Sequence, residues 1–199
     1  MCASIYSKHG CIGVLPFGKI PEHVLKEIGL KIESHFFYPI KILSAFPNPE
    51  YAHDNIRDQY NAAVILQTLE SIRFEYCDKV IGVLNSDLFI PVFTHVLGEA
   101  REGGNCALVS MYRLIKHDEK SSATEKMILT RISKIALHEI GHLFNISHCM
   151  NEKCIMHFSS SLQDIDKIGP SFCIYCKSYL DKAIKSNRRV MSALPKKIL

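Results

Sequence analysis

The residues best suited to chemistry lie in one stretch, in which histidines stand at positions 138, 142 and 148. On an α-helix, residues four apart project from one face with about 40° between them, so the imidazoles of His138 and His142 can share a metal ion. Glu139 follows His138 directly, and its carboxylate can serve as a general base beside the metal without becoming a ligand. With His148 as the third ligand, one tetrahedral position stays open, as in catalytic zinc sites.

His148 can reach the same metal only if the helix ends soon after His142. Asn145 stands three residues past His142, where the chain must reverse. Such a reversal needs a left-handed backbone, for which glycine is the usual residue and asparagine the best-tolerated alternative. We therefore expect a positive φ angle at Asn145.

A second group of metal-binding residue types follows directly. A bare HExxH pattern also occurs by chance on amphipathic helices, so the interpretation of a metal site depends on the residues that follow the motif. Cys149 and Cys154 come next, Met156 stands two residues further, and Cys173 and Cys176 form a CxxC pair. In a chain of this length, cysteines clustered in this way favour thiolate metal ligands over disulfides.

Taken together, residues 138–176 resemble the long signature of the archaemetzincin family of metalloproteases: HExxH, two residues, a small turn residue, two residues, HC, four residues, CxM, a spacer and CxxC. The resemblance implies a catalytic zinc held by three histidines, a glutamate as general base, a structural zinc held by four cysteines, and a methionine that forms the turn beneath the active site. By position these roles fall on His138, His142 and His148, on Glu139, on Cys149, Cys154, Cys173 and Cys176, and on Met156. The chain departs from the pattern at Asn145, where most metzincins have glycine, and this bears on the geometry of the turn.

The function that follows is that of a zinc metallopeptidase, with two zinc ions per chain and a peptide or protein as substrate. Zinc polarises the peptide carbonyl and lowers the pKa of its water to about 7, while Glu139 takes the proton and passes it to the leaving amine. One alternative is a catalytically weak, zinc-stabilised peptide-binding or regulatory module, against which the unliganded carboxylate of Glu139 argues. Another treats residues 149–199 as a zinc knuckle with a basic tail that binds nucleic acid, but no interleaved aromatic residues support it.

Composition and charge favour a single globular domain in the cytoplasm. The chain has 199 residues, 47% of them apolar, which suffices for a buried core. The apolar run over residues 11–17 is too short for a signal peptide or a membrane span, so no membrane partner is expected. The net charge of +4 arises in residues 177–199, which carry seven Lys or Arg against one Asp and leave residues 1–176 at −2. The remaining cysteines are interpreted as small buried or free thiols; they are Cys2, Cys11, Cys77 and Cys106.

The elements that must position the site alternate between strand and helix. Apolar runs predict strands at residues 11–16, 41–46, 79–84 and 91–98, and apolar stripes predict helices that open at Pro21 and over residues 55–74. This order favours a mainly parallel sheet covered by helices. The short turn at residues 98–104, before a strand over 106–112, implies an antiparallel step at the sheet edge. In metzincins such an edge strand lines the cleft and pairs with substrate; we place it at residues 93–99, where a plain hairpin is an equal alternative.

The site itself is expected on a helix over residues 123–144, which opens with a capping box formed by Ser122 and Glu125. Residues 149–170 are expected to be loop-like, and residues 173–185 to form a terminal helix. The fold class is therefore α/β (α+β), metzincin-like: a mixed, mainly parallel twisted sheet with an antiparallel edge strand, packed helices and a small zinc-stabilised C-terminal subdomain. The predicted divisions are residues 1–148 with the active-site helix, 149–185 with the four cysteines, and a basic tail at 186–199.

Overall fold

The computed structural model describes residues 10–116 and 124–193. The strands are β1 (Cys11–Pro16), β2 (Ile40–Ile42), β3 (His53–Asp54), β4 (Gln59–Asn61), β5 (Cys77–Leu84), β6 (Leu88–Ile90), β7 (Phe93–Val96), β8 (Gly98–Ala100) and β9 (Cys106–Ser110). The helices are α1 (Glu22–Phe36), α2 (Ala62–Glu70), α3 (Tyr112–Lys116), α4 (Glu125–Leu143), α5 (Leu162–Lys167) and α6 (Ile174–Ala193), with a short 3-10 turn at Glu50–Ala52.

A five-stranded sheet in the order β2-β1-β5-β9-β8 forms the centre of the domain. Strands β2, β1, β5 and β9 run parallel to one another, and β8 lies antiparallel to β9 at the edge, with Glu99 opposite Leu108. All six residues of β1 are buried, as expected for a parallel strand covered on both faces. The predicted mainly parallel sheet with an antiparallel edge strand is thus confirmed.

Helices cover both faces of this sheet, and the alternation of side chains along each strand decides which face they meet. On β5, Ile81 and Val83 join the apolar cluster under α1 and α4. Val80 and Leu84, on the same strand, belong to the opposite cluster under α2. Successive side chains of a strand point to opposite faces, so the apolar run of β5 supplies two cores. The layer formed by α1 and α4 is the one that carries the HExxH motif.

A second, four-stranded sheet in the order β3-β4-β6-β7 was not predicted from the sequence. Residues 53–54 form β3 and residues 59–61 form β4, with a turn between them, so the predicted helix over residues 55–74 is wrong in its first part. The helix α2 begins only at Ala62, where the side chain of Asn61 accepts hydrogen bonds from the backbone N–H groups of Ala63 and Val64. The predicted strand at 91–98 is divided in the same way, because β7 belongs to this sheet and β8 to the central one.

The C-terminal part is more helical than predicted. Residues 149–170 contain the short helix α5, and α6 continues to Ala193, past its predicted end at residue 185. Two basic side chains of α4 hold α5: Arg131 Nε and Nη2 donate to the Asp166 carboxylate at 2.9 and 2.7 Å, and Lys134 Nζ donates to the carbonyls of Ile165 and Ile168, both at 2.8 Å. These contacts fix one wall of the cleft described below.

The remaining expectations concern the start of α4, the isolated cysteines and the membrane. Ser122, the proposed cap, lies outside the described residues; Thr124 precedes α4 and makes no side-chain cap hydrogen bond. Cys11, Cys77 and Cys106 are free thiols, as predicted, and Cys2 lies outside the described residues. Within residues 10–116 and 124–193, no helix is long and apolar enough to cross a membrane.

Candidate metal centres and active site

The three histidines meet at one point beside α4. His138 and His142 project from the same face of the helix, with their Nε2 atoms 3.0 Å apart. The ring of His148 lies 5.2 Å from that of His138 and 4.9 Å from that of His142, between centroids. One ligand atom from each of the three lies within 4.8 Å of the others. The structure therefore brings the predicted triad together.

Hydrogen bonds on the far side of two rings leave their Nε2 atoms free to bind a metal. His138 Nδ1 donates to the carbonyl oxygen of Ile155 at 2.8 Å, and His142 Nδ1 donates to that of Ile146 at 2.8 Å. Such bonds fix the tautomer and the orientation of a ligating imidazole.

The electrostatic environment also fits zinc. Burial lowers the pKa of His138 to about 3, and burial likewise lowers the pKa values of His142 and His148. Each imidazole is therefore neutral near pH 7, and the neutral ring is the form that binds a metal.

Asn145 forms the turn between His142 and His148 in the predicted conformation, with a φ angle of 60°. The turn between β8 and β9 supports it from outside the helix, because Gly103 N–H donates to the carbonyl of His142 at 2.9 Å. Gly103 itself has a φ angle of 70°, and a Cβ there would lie 2.6 Å from Asn145 Oδ1. The asparagine in place of the usual glycine thus fits closely against a glycine of the neighbouring turn.

Glu139 lies between α4 and the edge strand β8 and is only 8% exposed. It meets Gly98, where a Cβ would lie 2.7 Å from both Cγ and Oε1 of Glu139. Burial, and then the nearby carboxylate of Glu99, raise the pKa of Glu139 well above its usual value. Because residue 98 has no side chain, the Glu139 carboxylate can occupy the space between β8 and α4, in the same cleft as the histidines.

A cleft of about 340 Å³ contains these groups. The segment from β7 to β8 forms one side, and α4 with α5 forms the other. Its acidic members are Glu99, Glu102 and Glu139, and its aromatic members include Phe93 and Phe158. The ring of Phe158 lies 5.2 Å from that of His148, so an aromatic wall adjoins the third histidine.

Met156 is fully buried beneath the histidine-bearing turn of α4. A Cβ on Gly141 would lie 2.5 Å from Met156 Sδ, so the glycine lets the thioether pack directly against the helix. The carbonyl of Met156 also accepts a hydrogen bond of 2.8 Å from the N–H of Cys149. The methionine therefore lies directly against the helix turn that carries His138 and His142.

The four cysteines form a second cluster, with their Sγ atoms within 4.8 Å of one another. Two of the sulfurs accept hydrogen bonds from backbone N–H groups. Asn151 N–H donates to Cys149 Sγ at 3.4 Å, and Cys173 N–H donates to Cys154 Sγ at 3.3 Å. Burial opposes ionisation of Cys173, but hydrogen bonds from Cys176 and the other two cysteines lower its pKa to about 7. Four free thiols at this spacing suit a tetrahedral zinc.

Several residues of the site are not marked by any motif in the sequence. Glu102 follows β8, and its Oε2 accepts a hydrogen bond of 3.1 Å from Ser147 Oγ, in the segment that leads to His148. Its Oε1 lies 3.9 Å from His142 Nδ1. Gly98 and Gly103 lie in the turn predicted at residues 98–104, but the sequence does not indicate that they approach Glu139 and Asn145.

The HExxH helix packs on a mixed α/β sheet, a third histidine follows a left-handed turn, and a methionine is buried below the helix. This combination of fold and site is that of a zinc metallopeptidase of metzincin type. Peptidase family M54 matches residues 19–182. The chain belongs to this family, the archaemetzincins.

Relatives and solved structures agree with this assignment. An archaemetzincin of Methanopyrus kandleri is 39% identical over 137 residues, which cover 69% of this chain and 74% of the relative. That of Pyrococcus furiosus is 34% identical over 177 residues, covering 86% and 92%. The crystal structure of a Methanopyrus kandleri archaemetzincin has a TM-score of 0.79 at 32% identity and covers 90% of this chain and 98% of that one. One from Archaeoglobus fulgidus, complexed with malonate, has a TM-score of 0.73 at 31% identity and covers 84% and 98%.

Proposed function

We propose that His138, His142 and His148 hold the catalytic zinc of this peptidase and that Glu139 is its general base. The observation that carries the proposal is the convergence of three neutral imidazoles and one buried carboxylate in a single cleft. Zinc in such a site supplies a Lewis acid that polarises the peptide carbonyl and activates water.

The work left to Glu139 is proton transfer. A carboxylate whose pKa is raised is a better base near neutral pH than an exposed one, and burial raises the pKa of Glu139. Glu139 accepts a proton from the attacking water and delivers it to the nitrogen of the leaving amine. Because residue 98 is a glycine, no side chain from β8 occupies the space next to this carboxylate.

The edge strand β8 supplies the binding surface for an extended peptide. It pairs with β9 on one side, and its residues line the cleft on the other. A substrate strand can add to such an edge through backbone hydrogen bonds, which demand little of the side-chain sequence. The predicted segment 93–99 is part hairpin and part edge strand: β7 pairs with β6 as a hairpin, and the cleft strand begins at Gly98.

A second zinc held by Cys149, Cys154, Cys173 and Cys176 gives two zinc ions per chain. Apolar residues of the segment 149–185, among them Ile155, Ile165 and Leu180, pack into the core under α1 and α4. Metal binding by the four cysteines adds stability to that packing. Because Cys149 follows His148 directly, this structural zinc also fixes the segment that presents the third histidine. A cytoplasmic location and the absence of a nucleic-acid partner stay predictions.

The test of the general base compares Glu139→Ala with the wild type on a peptide library. Three histidines remain in the variant, so zinc content should be unchanged while hydrolysis falls by roughly 10²–10⁴-fold, the usual contribution of general-base catalysis. The matched control is Glu125→Ala on the same helix, whose exposed carboxylate pairs with His23 at the far end from the site; its activity should equal the wild type.

Loss of zinc from Glu139→Ala would make this carboxylate a ligand, and the proposed division of roles would be wrong. If zinc stayed and the wild type cleaved no peptide faster than the variant, the peptide-binding or regulatory module would be the better description. Elemental analysis after a brief chelator wash tests the metal count: a value near two is expected, and a value near one would remove the second site.

A further inference from the structure

Two thiols face each other away from the metal clusters. Cys11 begins β1 and Cys77 begins β5, and the sheet register pairs them directly. Their Sγ atoms are 2.7 Å apart, closer than the roughly 3.5–4.0 Å typical of nonbonded heavy atoms in contact. Both are free thiols. The two sulfurs are therefore already within reach of a covalent bond.

The backbone at this position also suits a crosslink. Neighbouring strands lie about 4.8 Å apart, and disulfides join residues whose Cα atoms are roughly 4.4–6.8 Å apart. The register shifts between Cys11 and Ile12, which leaves the first residue of β1 some freedom from the regular ladder. Closing the bond needs side-chain rotation rather than movement of a strand.

The surroundings make the two thiols unequal. The hydrogen bond from Cys77, helped by the Lys41 ammonium, lowers the pKa of Cys11 despite its burial. The same hydrogen bond, together with burial, raises the pKa of Cys77. Because the thiolate is the nucleophile, Cys11 is the sulfur that reacts first. It is only 5% exposed, so a small oxidant can reach it more readily than a bulky one.

Cys106 provides an internal contrast. It begins β9, the parallel strand on the other side of β5, but its register partner is Val80. Burial raises the pKa of Cys106 to about 12. Among the described residues, no second thiol lies opposite Cys106 in the sheet, and its raised pKa disfavours the reactive thiolate. This cysteine therefore serves as a matched control.

We propose that Cys11 and Cys77 are a redox modification site, which peroxide converts into a disulfide between β1 and β5 and which thiol reductants restore. The Cys11 thiolate attacks one oxygen of hydrogen peroxide: an S–O bond forms, the O–O bond breaks, and hydroxide leaves and becomes water. Cys77 then attacks the sulfenic sulfur: the S–S bond forms, the S–O bond breaks, and a second water leaves with the Cys77 proton. Two thiols lose two hydrogens in all, and the peroxide is reduced to two waters.

The crosslink acts on stability and leaves the cleft unchanged. It joins positions 66 residues apart in the chain, and closing so long a loop restricts the unfolded state. The cleft is lined by residues of β6 to β8, α4 and the segments around α5, whereas neither β1 nor β5 contributes to it. The oxidised protein should therefore resist unfolding and cleave peptides at the rate of the reduced one.

The experiment treats the zinc-loaded full chain with hydrogen peroxide, alkylates the remaining thiols and maps the peptides under non-reducing conditions. A peptide linked through Cys11 and Cys77 is expected, together with a rise in Tm of several degrees, and dithiothreitol should reverse both. Cys77→Ser should lose the linked peptide and the rise in Tm, whereas Cys106→Ser should keep both.

If Cys77→Ser does not fold, the peptide map of the wild type decides alone. Recovery of Cys11 and Cys77 as alkylated thiols after peroxide would overturn the proposal. So would their oxidation to sulfinic acids without a crosslink, or a disulfide found only among the four cysteines of the metal cluster.

Discussion

Replacing Gly98 by alanine tests whether catalysis depends on the position of the Glu139 carboxylate. The added Cβ would lie 2.7 Å from Glu139 Oε1 and 2.8 Å from Ile135 Cγ2. Since nonbonded atoms settle at about 3.5 Å or more, the carboxylate must retreat by roughly 0.8 Å. Ile135 blocks a sideways shift of the methyl group, and the pairing of Gly98 with Val109 holds the strand in place. The displacement therefore falls on Glu139.

A misplacement of about 1 Å in a catalytic group can lower the rate by roughly 10²-fold. We expect kcat of Gly98→Ala to fall by about that factor on a cleaved peptide, while elemental analysis finds the zinc content of the wild type. Gly29→Ala is the matched control, because it makes the same substitution on α1, away from the cleft, where the methyl meets Ile40 Cγ2 at 3.0 Å. A wild-type kcat in Gly98→Ala with zinc intact would refute the positional argument.

Variants at four other positions test the supports of the proposed metal sites. Asn145→Gly should keep its zinc, whereas Asn145→Val should lose the catalytic ion, since a β-branched residue is strained at a φ of 60°; equal zinc contents would contradict this. Cys173→Ser should expose residues 149–185 to limited proteolysis and weaken the catalytic site as well, because structural zinc is worth roughly 10 kcal/mol; protection equal to the wild type would argue against a structural ion. Glu102→Ala should raise the Kd of the catalytic zinc by about 10-fold in a chelator competition. Ser147→Ala should raise this Kd by a similar factor, and the double variant of Glu102 and Ser147 should raise it little further. Fully additive effects on the Kd would show that the two side chains do not act together.

The sequence predicted the cluster of three histidines because their geometry is local. Two histidines four residues apart on a helix must share a face. Asparagine is one of the few residue types that tolerate a left-handed backbone, so Asn145 itself indicates that conformation. The parallel sheet followed from the alternation of strands and helices. In each case the information lies within a few residues of the feature it determines.

The parts that could not be predicted depend on contacts between distant segments. Residues 55–61 carry a helix-compatible pattern, yet β4 pairs with β6, where Tyr60 lies opposite Leu88, and this pairing overrides the local preference. The role of Glu102 depends on Ser147, which lies 45 residues away. The close approach of Gly98 to Glu139 likewise exists only once β8 and α4 are packed together.

The lengths of the strands in the central sheet carry a consequence for self-association. Its two edge strands, β2 and β8, have three residues each, whereas β1 and β5 between them have six and eight. A long exposed edge invites pairing with other copies of a chain and is a common origin of aggregation, and very short edge strands avoid it. The strand proposed to bind an extended peptide is thus too short to template a growing β-assembly, and the domain can keep an open edge without becoming prone to fibre formation.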